Sequence, residues 1–242
     1  VKKFLSLVAI LLSIGTARAT ISIANAGNLS NISANSGTAA ALDSASVGDE
    51  IVVQFSLLNQ ATALSTVTVS DNLNGSYTQS GTQAVNASFG SGSGAITVAF
   101  LVHVTTSGTP NITITTTGYT GAFIAPLEMR LTGFSGTGTL DSAASGNAQG
   151  TGTTITNAPG STAHANEMAL AMSRTDFSGL TLPSGWGSTS GNTAGQLYAS
   201  SSSAVSFPAT MSPSQNWINS IITVYDATGG RGGASPNFFL VQ

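Results

Sequence analysis

AITVAFLVHV (residues 95–104) strings β-branched and aliphatic side chains together between two turn-forming clusters, SGSG (91–94) and TSGTP (106–110). Such side chains fit a pleated surface, and Gly, Ser and Pro at both ends punctuate the chain. The run is therefore expected to be a strand. Outward from it, EIVVQFSL (50–57), STVTVS (65–70), NITITTT (111–117) and WINSIITVY (217–225) show the same period of two. In ANEMALAMSR (165–174), Met168, Leu170 and Met172 alternate over alanines, and the brevity of the segment before Asp176 and Gly179 predicts a strand rather than a helix. No heptad or fixed-period repeat occurs. TGFSGTGTLDSAASGNAQGTGTT (132–154) is expected to be a long surface loop. Short strands at this spacing make the fold all-β, a jelly-roll or Ig-like β-sandwich in a single domain.

The two ends read differently from the middle. VKKFLSLVAILLSIGTARA (1–19) carries two lysines, an apolar run from Phe4 to Ile14, and Ala17-Arg18-Ala19 as a small-x-small cleavage site. It is expected to be a secretory signal peptide, which places the protein outside the cell or on its surface. The run is much shorter than the ~20 apolar residues of a spanning helix. Nothing later resembles a transmembrane segment, so no membrane span is expected after cleavage. Residues 20–227 are assigned to the sandwich and 228–242 to a Gly-rich link with a short C-terminal strand. That strand, Asn237 to Gln242 (NFFLVQ), would be a sticky edge if left free. It is expected to return to its own sheet; the alternative is self-association by donation to a neighbouring copy.

Composition removes whole classes of partner. Without residues 1–19, the basic side chains are Arg130, Arg174 and Arg231 against nine acids, so the net charge is 3 − 9 = −6. Nucleic acids and anionic membranes are disfavoured, because both need basic side chains to displace counterions. Only 6% of residues are charged, so solubility rests on Ser, Thr, Asn and Gln. The absence of cysteine excludes a disulfide scaffold and thiolate metal sites. Stability must come from a core, which a chain of this length can bury.

Candidate chemistry is sparse. DNLNG (71–75) looks like part of a calcium loop but has one carboxylate, and its flanks VTVS and SYTQ are strand-like, so a hairpin turn is expected and no metal. No Gly-x-Ser-x-Gly occurs. His103 falls in a strand, on the face of Ala99 and Leu101, and His164 follows a Pro-Gly loop as a solvated residue; neither belongs to a zinc motif. Glu128 and Glu167 are on strands that could approach each other, as a glycosidase requires, but Arg130 on the strand face of Glu128 makes a surface ion pair the simpler account. Glycine-rich stretches lack the lysine of a phosphate loop. No catalytic residue and no cofactor is expected. Trp186, in LPSGWGSTSGN, could offer an indole to a sugar, with Tyr198 further along the chain as a second candidate; the alternative is a loop residue tucked onto the sandwich edge. Thr113, Thr115 and Thr117 share one strand face, as in ice-binding sheets, but no sequence period supports that reading.

Over residues 40–227, the order SVGDEIVVQFS, VTVSDNLNGSYTQ, AITVAFLV, LEMRLTGFSG…LDSAASGNAQGTGT, HANEMALAMS and NWINSIITVYDA resembles a bacterial and phage extracellular module. That module has an SVTDSQGNTYT-like strand end, then EYSG, ANELLVG and a closing Trp-containing strand. The resemblance implies a jelly-roll-like β-sandwich, as in secreted, surface and phage structural proteins, without an assigned catalytic function. Where the module carries an aromatic pair, QAVNASFG (83–90) has only Phe89. The expected function is a secreted, non-catalytic binding or adhesion module for carbohydrate or a partner protein. The alternative is a self-assembling structural subunit of a filament, coat or virion, and a more remote one is a glycan-active hydrolase.

Overall fold

A computed structural model describes residues 20–33, 35–121, 123–176, 179–188, 193–198 and 202–228. The signal segment (1–19), nearly all of the Gly-rich link and the strand Asn237 to Gln242 lie outside the described residues. The fold is all-β, a stack of antiparallel sheets.

One sheet lies in the middle. It is ordered β1 (Ser22–Asn28), β11 (Leu127–Thr132), β4 (Glu50–Leu58), β8 (Ala95–His103) and β7 (Thr78–Asn86). On one side sits an outer sheet of β3 (Ser36–Ala40), β9 (Asn111–Thr117), β5 (Thr66–Asp71) and β6 (Gly75–Ser76). The two-stranded ladder β10 (Phe123–Ile124) and β2 (Ile32–Ser33) joins this half. On the other side lies a sheet ordered β12 (Gly138–Leu140), β19 (Thr210–Asp226), β15 (Glu167–Thr175), β17 (Thr193–Tyr198) and β16 (Gly187–Ser188), with β13 (Gly146–Thr154) also pairing β19. A ladder of β14 (Asn157–Ser161) and β18 (Ala204–Phe207) caps that sheet.

Alternation along each strand explains the layering. In β4, Ile51, Val53, Phe55 and Leu57 pack with Val67, Val69, Ile112 and Ile114 of the outer sheet. Val52, on the opposite face, joins Ala99, Leu101 and Met129 against Met168, Leu170, Ile222 and Val224. The far face of β15 and β19 contributes Ala169, Ala171, Trp217 and Ile221 to a third core with Val205 and Phe207 of the capping ladder. The middle sheet is thus covered on both faces, which is why β4 and β8 are buried along nearly their whole lengths. Strands covered on both faces read as continuous apolar runs rather than half-polar ones.

Polar side chains also bridge the inner seam. Gln54 Nε2 donates to Ser220 Oγ at 3.0 Å. Asn86 Nδ2 donates to the carbonyls of Gly150 at 2.9 Å and Trp217 at 3.2 Å. A buried amide left without such a partner costs about 1–3 kcal/mol, so these bonds set how the two sheets register.

The tract 132–154, expected to be a loop, forms β12 and β13 instead. Its glycines are there for close packing. A Cβ at Gly150 would lie 2.7 Å from Cζ2 of Trp217, and one at Gly146 would lie 2.9 Å from Cβ of Pro159. A composition that reads as loop is what lets β13 pass under an indole.

DNLNG is a hairpin turn, as expected: Ser70 pairs with Ser76 and Asp71 with Gly75, whose φ is +86°. Asp71 Oδ1 accepts from the backbone N–H of Leu73 at 2.7 Å and Asn74 at 2.5 Å. The asparagines reach outward. Asn72 Oδ1 accepts from Asn111 N at 2.7 Å, and Asn74 Oδ1 from Thr105 N and Thr106 N at 3.0 and 3.1 Å. Asp71→Ala removes a buried acceptor from two N–H groups, and the expected loss of about 2 kcal/mol is read as a lowered urea midpoint. An unchanged midpoint would show that the turn is held by its glycine alone.

Candidate functional site

Two kinds of site stand out: carboxyls inside the stack and hydroxyls on its surface. Glu50 begins β4 and faces His103 at the end of β8, because the antiparallel register pairs these two positions directly. Glu50 is 0% exposed and its Oε1 lies 2.5 Å from His103 Nδ1; the imidazole remains 27% exposed. The same Oε1 accepts from Gly138 N at 2.6 Å, which fixes edge strand β12 to the middle sheet. Burial pushes the Glu50 carboxyl up to about 8. Gly138 has no room for a side chain, since a Cβ there would run into the Glu50 side chain.

Glu128 overturns the surface ion pair expected of it. Its carboxyl is buried and accepts from Leu42 N at 2.8 Å, and burial pushes it up to about 7. Arg130 turns instead to Asp49 at 3.0 Å and Asp43 at 2.9 Å. Glu167 is also buried; Oε1 accepts from His164 N at 2.5 Å, and burial, with Asp141 as hydrogen-bond partner, pushes the carboxyl up to about 8. Glu128 sits on the face of β11 opposite Met129 and Leu131, and Glu167 on the face of β15 opposite Met168 and Leu170. Those apolar residues fill the space between the two sheets, so the carboxyls point away from each other and cannot flank a substrate. Among the described residues, no group of His, Asp and Glu could hold a metal ion.

The sugar platform expected of Trp186 is not offered. The indole is 7% exposed, its Nε1 donates to Ser206 O at 3.1 Å, and its ring meets Phe207 edge-on at 4.9 Å. It is the tucked residue of the alternative reading, held by the capping ladder. Of Tyr198 only the backbone is described, and it pairs with Glu167. Trp217 is core, as its apolar strand implies. His164 is exposed and stacks on Tyr225 at 3.8 Å.

The surface site is the outer face of the outer sheet. In β3, β9 and β5 the inward positions are Ala39, Ile112, Ile114, Val67 and Val69, so the alternate positions face outward. Register places these in rows across the strands: Ser36, Thr115 and Thr68 in one; Thr38, Thr113, Ser70 and Ser76 in the next; Thr117 with Thr66 beyond. All are exposed or half-exposed. Thr38 Oγ1 and Thr113 Oγ1 are 2.8 Å apart, and Ser36 Oγ and Thr115 Oγ1 are 3.4 Å apart. No ionisable or aromatic side chain stands in these rows. The nearest acid, Asp71, is turned inward with Val67 and Val69. The sequence shows the threonines of β9 but not their neighbours, which the fold brings from about 75 and 45 residues away in the chain.

No protein-family model, curated protein or solved structure matches this chain.

Proposed function

We propose that this protein is a non-catalytic adhesion module that holds an uncharged, hydrogen-bonding surface through the outer face of its outer sheet. The observation that supports this is the set of hydroxyl rows, broad, exposed and free of charge and aromatic rings. Serine and threonine hydroxyls both donate and accept, so a sheet of them can engage any neutral lattice of donors and acceptors. The buried carboxyls favour structure over catalysis: each is buried and accepts from a backbone N–H. Secretion by the N-terminal segment is part of the same proposal.

The test is depletion of the purified chain from solution by uncharged particles, crystalline polysaccharides and ice among them, against charged resins. Binding to a neutral surface is expected to persist from low to high salt, because screening acts on charges and the face has none. Binding to charged resins alone, or binding that salt abolishes, overturns the reading. A second reading, a self-assembling subunit, draws support from edge strand β1, whose SIANAGN sequence carries no charge to block pairing with another copy. Sedimentation showing only monomers excludes it.

A further inference from the structure

We infer that the occupant of the hydroxyl face is ice, the ordered oxygen lattice of frozen water. This rests on the proposed contact face and narrows it to one ligand. Chemistry is the first argument. A charge would orient water around itself, and an aromatic ring is what a sugar stacks on; the face has neither. What remains, hydroxyls beside methyls, is a surface that a water network can continue without a break.

Spacing is the second argument. Along a strand, same-face residues recur every ~6.8 Å, and neighbouring strands lie ~4.8 Å apart. This two-dimensional repeat is close to that of the oxygens on ice faces parallel to the hexagonal axis. That repeat belongs to the backbone positions; within a row the hydroxyls close into hydrogen-bonded pairs, Thr38 with Thr113 at 2.8 Å and Ser36 with Thr115 at 3.4 Å, and the closer pair has the O–H···O separation of neighbouring waters.

Rigidity is the third. Threonine is stiff at χ1, and the Thr38–Thr113 and Ser36–Thr115 contacts hold both partners, so the array loses little freedom on docking. A repeat in the sequence is unnecessary, because the rows are assembled from β3, β5 and β9, which are not consecutive. Sheet twist limits how many strands stay coplanar. Slowed ice recrystallisation is therefore expected rather than a large depression of the freezing point.

The experiment grows ice slowly from a dilute solution of the full chain and compares protein in ice and liquid, alongside crystal growth in a frozen sucrose film. Wild type is expected to be enriched in the ice and to keep crystals small. Thr115→Lys and, on the neighbouring strand, Thr68→Lys are each expected to lose both effects at an unchanged melting temperature. Thr156→Lys, exposed beside the capping ladder, is expected to keep them. Exclusion of wild type from ice, or enrichment that survives both face variants, overturns the inference. If wild type is excluded from ice but binds a neutral polysaccharide in a Thr115-dependent way, the adhesion face stands and only ice falls. If Thr115→Lys and Thr68→Lys alter no binding to any neutral surface, both fall.

Discussion

Raising the pH from about 5 to about 9 is expected to lower the melting temperature of this protein, the reverse of ordinary acid denaturation. Three carboxyls are responsible. Burial raises Glu50, Glu128 and Glu167 from an ordinary 4.5 to about 8, 7 and 8 in the folded chain. Between the ordinary and the raised values, the folded state keeps protons that the unfolded state has released. Stability from these sites is therefore complete below the ordinary value and is lost as pH rises through the raised ones. One pKa unit corresponds to about 1.4 kcal/mol, so a single unit realised at each of the three sites amounts to about 4 kcal/mol. For a chain of this size that is a fall of about 10 °C. Calorimetry across the range gives the answer, and a melting temperature that is flat or rises through neutral pH would refute the account. Glu50→Gln keeps at this position an oxygen that can accept from both Gly138 N and His103 Nδ1–H, so it is expected to flatten its share of the slope without opening the seam.

The second large effect is mechanical in origin. Phe55 is fully buried and stacks on Phe100 with ring centroids 5.9 Å apart. Phe55→Ala is expected to cost about 3–5 kcal/mol, through lost transfer energy and the cavity left behind. Against a total stability of about 5–15 kcal/mol, this is a large share. Because the middle sheet carries a core on each face, denaturation should remain one transition, shifted to lower urea by the substitution. Two separated transitions in Phe55→Ala, with only one displaced, would show that the two halves of the stack unfold independently.

How much of this could be read in advance depended on distance along the chain. The strands were legible because alternation and turn residues are local, as in NITITTT between Pro110 and Gly118. The number of layers was legible only in part: the apolar runs Ile51-Val52-Val53 and AITVAFLV mark strands covered on both faces, but nothing in them says which sheet each face meets. Tract 132–154 misled because glycine marks both a loop and a strand pressed against a large side chain. Trp186 depended on Phe207 and Ser206, about twenty residues further on. The Glu50–His103 pair had a usable signal: laying EIVVQFSLL antiparallel to AITVAFLVH sets the first residue of one beside the last of the other. The hydroxyl face was half visible, through Thr113, Thr115 and Thr117; its other strands come from elsewhere in the chain.

The division of strands between the layers also bears on how the chain comes into being. Among the described residues, every strand of the middle and outer sheets lies before residue 133, and every strand of the other two after it. A chain emerging N-terminus first can finish its first half while Val52, Leu101, Met129 and Leu131 still face water. Their cover arrives with β15 and β19, and β19 is the last of the described strands to emerge and the one on which β12, β13 and β15 all pair. Until then the nascent protein presents a greasy, uncharged sheet to its surroundings, so chains cut short before Thr210 should clump, and a chaperone holding the half-made product would grip it there.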